Sequence, residues 1–526
     1  MTLKANGCLW KSVAGAGVLA MVLGAGSAVA QDVVEAGQTS TLTVTSRLVV
    51  LDVVVVDAKG NPVTTLDQSK FRIYEDKIPQ AIKNFDAPTS HLMPPGMEGK
   101  LVVDSAADLP KIGRSPVNVL VFDELNTPFH DLSYAREQMM KYLLSLPEVL
   151  PVPTLFVAAG NTKMAVLHDY TQSRAELIAS VKKHTADVDF TMIMAQLNGG
   201  KTGKDNGLVA TLGALSQIAE SVKGVPGRKN LIWVGKGYNN AVDLQSMSES
   251  DHDRVLAVIK QVTDRMLAAR VVLYTIDPDG PVKADEVTAE TIDPTNVGSP
   301  GSQVGDFGDG LGFYEFSKET GGRVISGRND IDVQLAQVSK EGTEYYTLSY
   351  APTSMDDAAR PYRKIRVLVS EPGYRVMTRE GYFSGAAKVS AVALAPRAKQ
   401  PKDVQYDLLT AARTTLAYTG LHVMAQRTKP GYTLLVNAND LQFNAQADGT
   451  RLAEVTIVAV SYNTKGKESG QRAMELKEEL GPNDVVQRGS QVGFAVPMIV
   501  PAFTQRVRFV VRDASTGTMG SAEGKP

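Results

Sequence analysis

The chain is almost without thiols and has few histidines. Its 526 residues include a single cysteine, Cys8, which lies ahead of the first apolar stretch. A chain cleaved after the opening thirty residues therefore has no sulfhydryl, which excludes disulfides, zinc–thiolate centres and cysteine nucleophiles together. Stability must come from packed cores. The six histidines, at 91, 130, 168, 184, 252 and 422, are scattered. None forms an H-E-x-x-H pair, and no G-x-S-x-G elbow occurs, so the case for catalysis is thin. Neither sign of charge dominates: 55 basic residues face 57 acidic ones, for a net charge of -2. With no basic run of more than a few residues, neither nucleic acid nor an anionic membrane surface is expected as a partner.

Long apolar runs are also missing beyond the opening segment. There Lys4 and Lys11 flank the start of an apolar stretch, Val13 to Leu23, and small residues lead to Ala28 and Ala30. This is the pattern of a secretory signal with cleavage before Gln31. No later segment is apolar enough to span a bilayer. The mature protein is expected to be secreted or periplasmic, with 53 basic against 57 acidic residues.

What is present is ordinary for a globular protein: 43% hydrophobic and 21% charged residues. The length calls for roughly two to four domains. Residues 41–86 read as β, with β-branched alternation in "TLTVTSRLVVLDVVVVD" and a turn at Asp76 and Lys77. Residues 87–115 are rich in proline, glycine and small polar residues and read as a linker. From 116 to 343, unbroken apolar strands such as "VNVLVF", "TLFVAA", "KNLIWVG" and "RVVLYTI" alternate with amphipathic helices. That pattern calls for a mostly parallel, doubly wound α/β sheet covered on both faces. A hairpin at "GNT" should place one antiparallel strand at its edge. Strands return at 344–385. They either stand alone or join the N-terminal β module in one sandwich, with the α/β domain inserted between. A second linker, 386–400, precedes a C-terminal β sandwich over 401–526.

The stretches "VFDELNTPF", "GRKNLIWVGKGY", "VVLYTIDPDG", "TGGRVISGRNDID", "EYYTLSYAP" and "REGYFSG", in this order, resemble a von Willebrand factor A (VWA) domain, and in particular the secreted acidobacterial VWFA-related family. The resemblance covers about Thr41 to Gly385. It implies a Rossmann-type sheet with a metal-ion-dependent adhesion site at the C-terminal ends of its strands, where open α/β sheets bind ligands. Such a site gathers an Asp-x-Ser-x-Ser, a later Thr and a further Asp around Mg²⁺ or Ca²⁺, and an acidic side chain of a protein partner completes the shell.

Asp123 falls on the first Asp, Leu125 on a hydroxyl position it cannot serve, and Thr127 on the next. Asn126 offers a carbonyl, and Thr211 matches the later Thr. Lys236 stands where a carboxylate is expected, so the site is degenerate. The resemblance therefore gives Asp123, Thr127 and Thr211 as metal ligands and Asp123, Asn126, Thr127, Thr211 and Lys236 as a ligand or ion-pair set. The Lys236 ammonium is expected to replace the ion by pairing with Asp123. Blander readings stand beside these. Thr127 before Pro128 can be a helix cap, Asp131 an N-cap, and Lys236 a solvated side chain. Asp277 to Gly280 reads as a turn, and glycine-rich Gly298 to Gly310 as an insertion near the rim. The expectation is a non-catalytic, adhesion-type binder of a protein partner. The competing readings are a structural envelope or matrix component, and a hydrolase using Asp123 with His130 or His168.

Overall fold

The fold is that of a computed structural model, which describes residues 48–160, 164–184, 202–237, 249–278, 313–353, 362–383 and 401–526. The expected signal segment, the second linker and the Gly298 to Gly310 insertion lie outside the described residues.

Alternation in β1 (Val49–Val56) turns Leu51 and Val53 to one face and Asp52 to the other. β2 (Phe71–Glu75) and β3 (Ile78–Gln80) form a hairpin. Its two turn residues, Asp76 and Lys77, both take positive φ, 48° and 71°, as a tight hairpin turn requires. β4 (Ile82–Asp86) follows. The next segment is not a free linker. Val103, Leu109 and Ile112 are buried in the core of the α/β body, so this stretch is packed over it despite its proline and glycine.

All seven residues of β5 (Val117–Asp123) are buried. Val117, Val119 and Val121 face one core while Leu120 and Phe122 face a second, which is why the run shows no polar alternation. After α1 (Phe129–Ser145) come β6 (Val149–Ala159), β7 (Met164–Ser173), α2 (Arg174–Lys183), α3 (Thr202–Ser221) and β8 (Lys229–Val234). Then follow α4 (Glu249–Ala268), β9 (Val271–Ile276), α5 (Phe313–Glu319), β10 (Val324–Ile325) and α6 (Ile331–Thr343). The six strands lie in the order β10-β9-β8-β5-β6-β7. All are parallel except β7, which closes one edge antiparallel to β6. α1, α2 and α6 cover one face and α3, α4 and α5 the other.

The chain then returns to its first strands. β11 (Tyr346–Tyr350) pairs with β1 and β4, β12 (Tyr362–Val369) with β2, β13 (Arg375–Met377) with β1, and β14 (Gly381–Phe383) with β12. The two four-stranded sheets enclose Leu51, Phe71, Tyr346, Leu348 and Val367. The α/β body is thus inserted between β4 and β11.

A polar seam joins the two. Arg270 Nη2 lies 2.5 Å from Asp52 Oδ1, Thr347 Oγ1 donates to the same oxygen at 3.0 Å, and His91 stacks on Tyr345 at 4.2 Å. Lys229, next to this seam, is almost fully buried and donates to Val225 O at 2.6 Å. Burial, with Arg270 nearby, pushes its ammonium down from 10.5 to about 7. The unfolded lysine keeps a proton that the folded one releases above about pH 7, so stability rises with pH across that window. The slope is at most about 1.4 kcal/mol per pH unit. Lys229→Met should flatten this rise in denaturant midpoints measured from about pH 7 to pH 10.

The C-terminal region opens on a helix rather than a strand, a departure from the all-β expectation. α7 (Pro401–Arg413) buries Leu408, Ala411 and Ala412 against Val458, Val460 and Val510. β15 (Val423–Thr428), β16 (Gly431–Asn437), β17 (Asn444–Ala445), β18 (Arg451–Asn463), β19 (Glu468–Leu480), β20 (Gln491–Pro497), β21 (Thr504–Asp513) and β22 (Met519–Gly524) form two antiparallel sheets. They pack around Leu434, Ile457, Phe494 and Phe509. This unit docks on the α/β body: Leu416 joins the first core, and Thr419 N donates to Ser221 O at 2.9 Å.

Candidate functional site

β5 ends in a carboxylate that solvent does not reach. An anion there demands partners, and the local chain supplies them. The backbone N–H groups of Leu125 and Asn126 donate to Asp123 Oδ1 at 3.2 and 3.0 Å as the chain turns back over the strand end. From β8, Trp233 Nε1 donates to Oδ2 at 3.1 Å, and Gly237 N follows at 2.8 Å. Asn126 Nδ2 lies 3.2 and 3.3 Å from the two oxygens and donates to Thr211 Oγ1 at 3.1 Å. The amide must face this way, because its carbonyl would repel the carboxylate.

Close passage of the β8 end makes the arrangement possible. Gly235 has φ +145°, and a Cβ there would sit 2.4 Å from Asp123 Cβ and 2.5 Å from Thr127 Oγ1. Lys236 N donates to Thr127 Oγ1 at 3.0 Å. Burial pushes the Asp123 carboxyl above its usual range, although the hydrogen bonds from Trp233, Asn126 and Gly237 oppose this.

The five residues expected to form a ligand or ion-pair set, Asp123, Asn126, Thr127, Thr211 and Lys236, do meet at one strand edge. Their chemistry differs from the expectation. The Lys236 ammonium does not reach Asp123. It lies 3.3 Å from Asp131 Oδ2, where both side chains are largely buried, as an ion pair outside hydrogen-bond alignment. Backbone N–H groups already fill the space at Asp123, while Asp131, in the first turn of α1, offers a carboxylate at a helix N-terminus. Asp131 is not the cap expected for it: Pro128 holds that position and makes no side-chain cap bond. Thr127 does not cap α1; its Oγ1 accepts from Lys236 N instead.

A divalent cation does not fit these residues. A carboxylate has about four acceptor positions, and N–H groups already crowd both oxygens of Asp123. Thr211 Oγ1 is taken by Asn126. Among the described residues no group of three or more His, Asp or Glu side chains is placed to hold an ion. Among the described residues, neither His130 nor His168 contacts Asp123, the acid expected to pair with one of them in a hydrolase. His130 Nε2 lies 2.7 Å from Asp131, and His168 contacts Asp169 O and Glu176. Asp123 is in register with Ala159, which pairs with Met164, so His168 sits four residues along β7 and two strands away. That is about 13 Å along the strand and about 10 Å across the sheet.

Sequence reasoning missed Trp233, Gly235 and Gly237 as partners of Asp123. One signal was available: an indole N–H in a buried strand needs an acceptor, and the neighbouring strand ends in an acid. It also missed the ion pair of Glu124 with His184.

Beside the sealed acid lies a cavity of about 750 Å³ between the α/β body and the C-terminal unit. Leu125, Ala159 and Met164 line its apolar end near the strand tips, with Thr211. It follows α3 from Ala210 past Glu220 to Lys223, opposite α7 and the β21–β22 turn. The thirteen steps from Ala210 to Lys223, two residues past the end of α3, give it a length of about 20 Å. Lys223, Arg265, Arg413 and Arg512 line it, against Glu220 and Asp407. Lys223 faces Glu220 at 3.6 Å and Arg413 bonds Glu468 at 2.7 Å. Arg265 bonds the Ser216 hydroxyl. Among the described residues, neither Arg265 nor Arg512 has an acidic partner.

No family model matches the chain, and no curated protein matches it. Solved structures give low similarities. Proximal thread matrix protein 1 (PTMP1) from the mussel byssus, crystal form 2, aligns over 45% of this chain at 12% identity and a TM-score of 0.20. The chain spans about half of that protein's length, 47%. The SpRpn10 VWA domain aligns over 31% of this chain and 89% of its own, at 11% identity and a TM-score of 0.17. Scores this low decide neither fold nor function.

Proposed function

We propose that this is a secreted, non-catalytic binding protein with a VWA-like domain of degenerate adhesion site, and that it holds an acidic segment of a protein partner without a metal ion. The observation that carries the reading is Leu125. At the position where an adhesion site would place a ligating hydroxyl, this side chain lines the cavity beside the strand ends. The acid next to it is closed off by N–H donors. The role a metal would play toward an acidic partner passes to Arg265 and Arg512, while the residue that breaks the metal set supplies apolar surface.

The cavity's length suits roughly six residues of extended chain. A partner carboxylate between two guanidinium groups gains charge-assisted hydrogen bonds, each contributing about 1.5–3 kcal/mol. A hexapeptide with glutamates set among leucines and alanines should therefore bind the full chain, and the same peptide with lysines should not. Arg512→Glu should weaken glutamate-peptide binding by roughly tenfold or more in calorimetric titration. Equal binding of both peptides, or of the wild type and the Arg512 variant, would refute the reading and favour a structural envelope or matrix role.

A further inference from the structure

One end of the C-terminal unit gathers three turns that are distant in sequence. Pairing of Gly431 with Pro497 brings the β15–β16 turn, with Lys429, beside the loop that leaves β20. Met498 N donates to Pro430 O at 3.3 Å across them. Pairing of Asn463 with Thr504 places the β18–β19 turn, with Lys465 and Lys467, at the same end. Pairing of Val507 with Gly524 adds Lys525.

From the loop between β20 and β21 project Ile499, 92% exposed, and Phe503, 83% exposed. Phe503 does not hang on a loose loop. The turn before it is closed by Thr504, whose hydroxyl donates to Pro501 O at 2.7 Å. Its φ is +65°, a region that bulky side chains rarely occupy, so the backbone accepts strain while the ring stays in solvent.

All four lysines are exposed, and none makes an ion pair among the described residues. Two neighbouring acids in the sequence are already engaged: Glu468 holds Arg413, and Glu523 holds Arg506 and Arg508. Residues 428–430, 464–467 and 498–503 contain no acid at all. In a chain with net charge -2, this end is a local concentration of positive charge around two protruding apolar side chains.

We propose that this end docks on a lipid bilayer with anionic headgroups, Ile499 and Phe503 entering the interface and the lysines meeting the phosphates. Two tips standing out from one loop suit a soft planar surface, whereas a protein partner would have to supply a cavity for each. Basic residues around an apolar tip are what interfacial binding requires. Attachment would be peripheral, since no described helix is long and apolar enough to cross a membrane. β21 runs from Thr504 at this end to Asp513 near the cavity, about 30 Å away. This proposal departs from the expectation drawn from the absence of basic runs, because the lysines converge only in space.

The test is co-sedimentation of the full chain with phosphatidylcholine vesicles, with and without phosphatidylglycerol. Binding is expected only with phosphatidylglycerol, weakening as salt rises through the range where the Debye length falls to about 8 Å. Free glycerol phosphate should not compete. Lys465→Glu with Lys467→Glu should reduce binding about tenfold, and so should Phe503→Gly. The glycine variant relieves the positive φ and should melt no lower than the wild type, so its loss of binding cannot come from unfolding. Overturning results are no sedimentation with either vesicle, binding unchanged in both variants, or Phe503-dependent self-association of the chain with vesicles ignored, which would make the surface a protein interface.

Discussion

Replacing Asp123 by alanine lowers the thermal midpoint by roughly 10 °C, at about 2–4 °C for each kcal/mol in a domain of this size. The substitution removes the acceptor for four N–H groups, those of Leu125, Asn126, Gly237 and the Trp233 indole. Each donor left buried without a partner costs about 1–3 kcal/mol. Water from the neighbouring cavity offsets part of the loss, so the net cost is about 4 kcal/mol rather than the full sum. Asp123→Asn keeps the shape but presents an amide N–H₂ to donors, and should fall between alanine and the wild type. Scanning calorimetry of the three proteins checks the order. If alanine were neutral, the carboxylate would not be what ties β5 to the end of β8.

Arg270→Met should cost about 3–5 kcal/mol, because it leaves the buried Asp52 without its partner. Methionine keeps much of the apolar stem, so the loss reads the charge rather than packing. Burial pushes the Asp52 carboxyl up, but Arg270 and then Arg228 outweigh it and hold it below the usual range. The pair therefore stabilises the fold above the carboxyl's unfolded value of 3.8, and this contribution is lost as pH falls through the lower folded value. The variant's deficit should accordingly shrink as the medium is acidified, since a protonated Asp52 needs no cation. Adding Asp52→Asn should recover most of the stability at neutral pH. Denaturant midpoints of the single and double variants over a pH series measure both effects. The seam joins β1 and β11 to the start of β9, so a large loss would show that sandwich and α/β body hold each other up.

The layered α/β body was legible because its strands carry their burial openly. Val117 to Phe122 and Leu231 to Val234 are uninterrupted apolar runs, and only a strand covered on both faces reads that way. The hairpin turn at Asp76 and Lys77 was legible from short-range chemistry. The packed role of residues 103–112 was not, because three apolar side chains spread among small and polar residues show no period. α7 was missed amid a region dominated by β pattern.

At the site, Asp123 was legible as an acid ending a buried strand. Which group answers it was not. Lys236 looked suitable by charge, yet the left-handed reach of Gly235 and Gly237 delivers backbone N–H groups first. The ammonium is then carried on to Asp131. No linear pattern shows the cavity or the lysines gathered at one end of the sandwich, since each is assembled from segments tens to hundreds of residues apart.

The most direct test of the metal-free site is calorimetric titration of the glutamate hexapeptide into the full chain, once with a chelator and once with Mg²⁺ or Ca²⁺. The account predicts the same dissociation constant in both, with no heat when either ion is added alone. Peptide binding that appears only with the ion and disappears in Asp123→Ala would contradict it.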